Sequence, residues 1–148
     1  MIYYLKIASS YLIFFLENKI PVKVFLITDY LGKPNYLNKV EVLELLGTGL
    51  ITIGSHTKSH RNLDGLSEGE ITNELKESKQ FLEEMFNVEI DEICYPTGKF
   101  SQQVIDIAIN SGYSYQYSCL PGSFFDKFRN VVIKRTTYPL RSYVLFLH

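Results

Sequence analysis

The sequence predicts an α/β domain built on a mainly parallel sheet. Three observations carry that expectation. Short β-branched and aromatic runs, such as VKVFLIT at 22–28, alternate with longer stretches whose apolar residues recur at helical spacing. Polar capping residues open the helical stretches, and Gly or Asn closes several of them. The chain has 148 residues, 46% hydrophobic and 21% charged, which describes a folded core and excludes a disordered segment. No repeat, low-complexity tract or linker divides it, so residues 1–148 read as one domain, below the ~250 residues of a complete eight-stranded enzyme barrel.

The elements are taken in chain order. Residues from about Tyr4 to Glu17 form an apolar helix, read as mostly buried and ended by Asn18 and the turn at Ile20-Pro21. Val22–Thr28 is a buried strand. Asn38 caps a helix through Leu46 with Val40, Val42, Leu43 and Leu46 on its apolar side, and Gly47 and Gly49 stop it before a strand at Leu50–Ile53. Ser67 and Glu70 have capping-box spacing, in which each side chain satisfies a backbone N–H at the helix start. In the helix they open, Ile71, Leu75, Leu82, Met85 and Phe86 share one face, while Glu74, Ser78, Lys76 and Gln80 are expected to face water. Glu92–Tyr95 is the next strand. Ser101 caps a helix ending at Gly112, with Val104, Ile105, Ala108 and Ile109 as its buried stripe. Tyr113–Cys119 and Asn130–Thr136 are the last strands. Strands alternating with helices imply βα units joined by right-handed crossovers, and chemistry in such folds gathers in the loops after the strands.

Composition narrows the function classes. Fifteen basic against sixteen acidic residues leave a net charge of −1, with no basic patch for nucleic acid and no charged tail. The aromatics, 11 Tyr and 10 Phe, suit either a core or a sugar-binding surface. Cys94 and Cys119 make no disulfide framework and no zinc ribbon, and read as small buried hydrophobes. The apolar stretch from Ala8 to Leu16 after Lys6 loosely imitates a signal peptide, but it lacks a small-residue cleavage site and is too short to span a bilayer. Localisation stays open.

Two segments sit where chemistry is expected. After the strand at Leu50–Ile53 comes Gly54-Ser55-His56-Thr57-Lys58-Ser59-His60. If this loop turns helically, His56 and His60 point the same way and both imidazoles reach one metal; two ordinary surface histidines are the plainer alternative. After Glu92–Tyr95 comes Pro96-Thr97-Gly98, which reads either as an ordinary βα turn or as a rigid loop presenting the N–H of Thr97 or Gly98 to an oxyanion.

Together, LITIGSHTKSHRNLDGLSEGEITNELKESKQFLEEMF and ICYPTGKFSQQVIDIAINSGY resemble the polysaccharide deacetylase family, from about Val22 to Tyr113 and on toward Arg135. Members are metal-dependent enzymes that remove N- or O-acetyl groups from polymers such as chitin, peptidoglycan or poly-N-acetylglucosamine. The resemblance implies a (β/α) barrel and a divalent metal, often zinc, held by His56 and His60 of an H-[ST]-x-x-H motif. It also implies that Tyr95, Pro96, Thr97 and Gly98 shape an oxyanion and substrate groove, with Cys94 where Ala is usual. In the family an aspartate takes the proton of a metal-bound water, and a late histidine protonates the leaving amine.

The chain departs from the family pattern in its first element. Members open with a strand ending in T-F-D-D, which supplies the base and a third metal ligand. Here IYYLKIASSYLIFFLENKIPVKVFLIT lines up with the family's helix and strand that come after T-F-D-D. No Asp precedes Asp29, and Asp29 matches no metal-binding position. The expectation is therefore an incomplete or distorted (β/α) barrel without its first strand, weak or absent metal binding, and little or no activity for this chain alone. The alternative is a non-catalytic module or fragment that binds metal or glycan. His148, in VLFLH, loosely matches the general-acid motif and also reads as a frayed terminus. The expected partners are a carbohydrate polymer or oligosaccharide and, because a lost strand bares sheet edges, a second copy of the chain.

Overall fold

The computed structural model describes residues 8–121, 132–135 and 143–146, with side chains from Leu12 to Ser118. Among the described residues, helices and strands alternate as far as β4 and two further strands follow: α1 (Ala8–Glu17), β1 (Val22–Leu26), α2 (Lys39–Gly47), β2 (Ile51–Ser55), α3 (Glu68–Phe86), β3 (Glu92–Cys94), α4 (Gln102–Asn110), β4 (Tyr115–Pro121), β5 (Val132–Arg135) and β6 (Tyr143–Phe146). Single 3-10 turns come after β1 at Thr28–Tyr30 and after β3 at Pro96–Gly98. The three predicted caps all form. Asn38 accepts from the Glu41 N–H and Ser67 from the Glu70 N–H, each closing a reciprocal capping box, and Ser101 accepts from the Val104 N–H.

Every strand pair is parallel, in the order β5-β4-β3-β2-β1-β6. Three successive crossovers, through α2, α3 and α4, advance one strand in the same direction, so right-handedness places those helices on one face of the sheet. Val22, Val24 and Leu26 of β1, Ile51 and Ile53 of β2 and Ile93 of β3 all join the core beneath the helices. The alternating residues face the other way: Lys23 pairs with Glu92, and Phe25 packs on Tyr117 with ring centroids 5.3 Å apart. Among the described residues the sheet stays open, so the expected incomplete barrel with a parallel sheet is what forms.

Five expectations need correction. The edge of β1 is not bare: β6, absent from the strands the sequence suggests, pairs Tyr143–Phe146 with Val22–Phe25 and satisfies its backbone groups. On α2 the buried residues are Val42 and Leu45, while Val40 and Leu43 are exposed because the helix is rotated relative to its apolar letters. On α4, Ile109 is likewise exposed and Ile107 buried. Glu74 and Ser78 of α3 do not face water; both are buried, for reasons that belong to the site. Among the side chains described on α1, Leu12 and Phe15 are buried, while Ile13 and Phe14 are exposed. No helix among the described residues is long and apolar enough to cross a membrane.

Candidate active site

His56 and His60 lie at the carboxyl end of β2, at the end of the sheet where the loop rule places chemistry. The segment joining them is not helical. Thr57 and His60 both take left-handed backbone conformations, φ 67° and 63°, and that pair of reversals brings the two rings to a centroid separation of 4.8 Å, inclined at 63°. A β-branched residue at positive φ is an outlier that persists only where its surroundings enforce it.

The surroundings are dense. Ser55, last in β2, turns toward α3 and shares a hydrogen bond with Ser78, 2.8 Å between hydroxyls, and its oxygen also accepts from the Thr57 N–H. The Ser78 oxygen lies 3.3 Å from the Tyr113 hydroxyl, which donates to the Leu75 carbonyl, and burial pushes the Tyr113 phenol up to about 12. Thr57 O accepts from the Thr28 N–H and Lys58 O from the Asp29 N–H, so the turn after β1 props the loop from one side. The His60 N–H is taken by the Thr57 hydroxyl. From the other side Glu74 accepts from the N–H groups of Lys58 and Ser59, at 3.0 and 2.9 Å, and from the Ser59 hydroxyl.

His56 is 4% exposed, and its Nδ1 sits 2.7 Å from the carbonyl oxygen of Cys94. A carbonyl only accepts, so Nδ1 carries the proton in this contact. The same bond ties the histidine loop to the end of β3, where Tyr95-Pro96-Thr97-Gly98 begins. Buried Cys94 serves there through its backbone, as a small hydrophobe; the Cys119 side chain lies outside those described.

The Tyr95–Gly98 residues divide their roles. Tyr95 is fully buried, stacks on Phe100, and donates its hydroxyl to Gln116 Oε1 at 2.6 Å; burial drives its phenol pKa far up. Its side chain supports the turn from below instead of lining a groove. Pro96 is buried and Thr97 exposed, at φ 58° and ψ 0°. The Gly98 N–H closes the turn onto Tyr95 O, and Gly98 O accepts from the Ser118 hydroxyl, which leaves Thr97 at the outer tip. His148 lies outside the described residues. Among those described, no group of three or more His, Cys, Asp or Glu is gathered.

Glu74, Ser55, Ser78 and Tyr113 escape a sequence reading as site residues. The signal is present in the helical period: Ile71, Glu74, Leu75, Ser78 and Leu82 form one stripe, and a polar letter on an apolar stripe marks a buried partner.

The site thus lies on a parallel βα sheet, with a histidine pair after one strand hydrogen-bonded to the end of the next, just ahead of a Pro-Thr-Gly turn. The family model for polysaccharide deacetylase matches residues 6–116, and this chain belongs to that family. It is 29% identical over 113 residues to the poly-beta-1,6-N-acetyl-D-glucosamine N-deacetylase of Staphylococcus aureus (strain MRSA252), covering 68% of this chain and 39% of that protein. The chain spans 36% to 39% of the length of the curated relatives it matches. Its fold is similar to that of the Streptococcus pyogenes deacetylase PplD solved in complex with acetate, with TM-score 0.80, 20% identity, and 88% and 58% of the two chains covered. It is also similar to a CE4 family pseudoenzyme from Bacillus anthracis, with TM-score 0.66, 18% identity, and 78% and 40% covered.

Proposed function

We propose that this chain is a carbohydrate deacetylase module that takes a divalent cation, zinc in the first instance, between His56 and His60. The observation that carries this reading is the hydrogen bond from His56 Nδ1 to Cys94 O, which sets the ligating tautomer and joins the two motifs in one place. Two imidazoles 4.8 Å apart fit two coordination positions, with carboxylate or water in the others. When bound, such a cation polarises an acetyl carbonyl and acidifies a coordinated water. The chain's own residues orient the reaction. His56 is fixed from behind by the Cys94 carbonyl, and Thr97, at the tip of the turn, offers its N–H to the oxygen on which negative charge develops. The substrate is an N-acetylated or O-acetylated carbohydrate polymer, and poly-N-acetylglucosamine comes first because the staphylococcal relative is named for it.

A second reading, a metal- or glycan-binding module without hydrolysis, is favoured by the two-histidine donor set, since a base and a third ligand are not gathered among the described residues. Zinc titration calorimetry and acetate release from acetylated N-acetylglucosamine oligomers separate the two. The deacetylase reading expects one equivalent of zinc, at least tenfold weaker binding in His56→Ala and His60→Ala, and acetate release abolished by EDTA. Zinc binding without acetate release selects the second reading. A wild-type chain that binds no zinc sinks both metal readings.

A further inference from the structure

The backbone between the histidines needs an explanation that the histidines do not supply. Neither helix nor strand holds residues 56–60, and two non-glycine residues there sit at φ above 60°. Each such residue is unfavourable and persists only where the surrounding structure over-determines it. Consecutive backbone N–H groups aimed at one point form an anion-binding nest, and the occupant here belongs to the chain. Glu74 Oε2 receives both the Lys58 and Ser59 N–H groups, and Oε1 receives the Ser59 hydroxyl. Glu74 is 6% exposed and sits on α3, which packs under β2 and the Thr28–Tyr30 turn. Lys58 does not neutralise it, because its ammonium goes to Glu77 at 2.5 Å. Three donors on a buried carboxylate make charge-assisted bonds of the strong kind, all directed at the two residues between Thr57 and His60.

We infer that Glu74 is the positioning residue of the site: its carboxylate holds Lys58 and Ser59, and thereby sets the spacing and mutual tilt of the His56 and His60 rings. The inference rests on the metal reading proposed above for its functional meaning, but its structural content is independent of metal. The bonds of Glu74 go to Lys58 and Ser59. It acts through the loop, as outer partners of metal ligands do, and their loss commonly weakens binding about 10–100-fold.

The test uses the full chain, with Glu74→Ala, Glu74→Gln and Ser59→Ala beside the wild type. Three readouts are taken: amide hydrogen exchange at Lys58 and Ser59, the nuclear Overhauser contact between the two imidazoles in metal-free protein, and cobalt affinity by optical titration. In Glu74→Ala the amides are expected to lose protection, the ring contact to vanish, and cobalt affinity to fall about tenfold or more. Glu74→Gln keeps an acceptor for both amides and is expected to recover cobalt affinity to within about threefold of wild type. Ser59→Ala takes the hydroxyl donor from Glu74 Oε1 while both amide bonds to Oε2 remain, and is expected to show a partial loss. It carries the test if the alanine variant of Glu74 fails to melt cooperatively. Protected amides and an intact ring contact in Glu74→Ala overturn the inference, as does a Gln variant no better than Ala. A wild type that takes up no cobalt while Glu74→Ala still loses the ring contact sinks the metal reading and supports the positioning role.

Discussion

Gly54 shows how little room the inner face of the sheet leaves near the site. A Cβ built there would lie 2.6 Å from the Phe25 ring and 3.1 Å from the Glu92 carbonyl, so the ring can occupy that space only over a glycine. Phe25 in turn packs on Tyr117 across the sheet. Gly54→Ala is expected to destabilise the chain by about 1–3 kcal/mol through overpacking, read as a lower urea midpoint with an unchanged slope. An unaltered midpoint would show that Phe25 moves freely and that the contact is unimportant. At this scale the sequence displays His56, His60, Pro96, Thr97 and Gly98 as candidates, because each falls in a loop just after a strand. Which nitrogen of His56 carries the proton is not legible there, since that depends on a carbonyl 38 residues away.

Helix α3 carries both the best local signal in the chain and the residue that local reading misplaces. Its start is a closed capping box: Ser67 Oγ receives the Glu70 N–H, and the Glu70 carboxylate receives the Ser67 N–H and hydroxyl. Those bonds from the Ser67 hydroxyl and N–H, with help from Arg61, lower the Glu70 carboxyl to about 2. A folded-state pKa below the unfolded value means that the charged form favours folding. The stabilisation is therefore complete above about pH 4.5 and disappears as pH falls through about 2. The expected result is that amides of the first turn of α3 gain exchange between those limits in wild type, and that Glu70→Gln removes this pH dependence. Ser67→Ala is expected to cost about 1 kcal/mol at neutral pH, measured by thermal melting. Further along, Glu74 and Ser78 share the stripe of Ile71, Leu75 and Leu82, and periodicity alone puts them inward. Polarity argues the opposite, and the buried partners in the histidine loop and at Tyr113 decide the matter.

For the whole molecule the open sheet is the governing feature. Strands β5 and β6 form the edges of the described sheet, and unpaired edge groups are a template for association. The place of β6 beside β1 also revises the bare β1 edge that the sequence pattern implies.

Local order is written in the sequence. The helices, most strands, three caps and both chemical motifs come from periodicity and from neighbours within four residues, the range over which propensity and capping act. The family resemblance rests on the same short motifs. Tertiary structure decided the rest. It brought β6 to β1, turned the Cys94 carbonyl onto His56, sealed the Tyr95 side chain beneath its own turn, and bent the histidine loop through two left-handed residues around Glu74. Each of those outcomes joins groups distant in sequence through directional bonds, and a strand or helix signal says nothing of what will stand opposite it once the sheet is assembled.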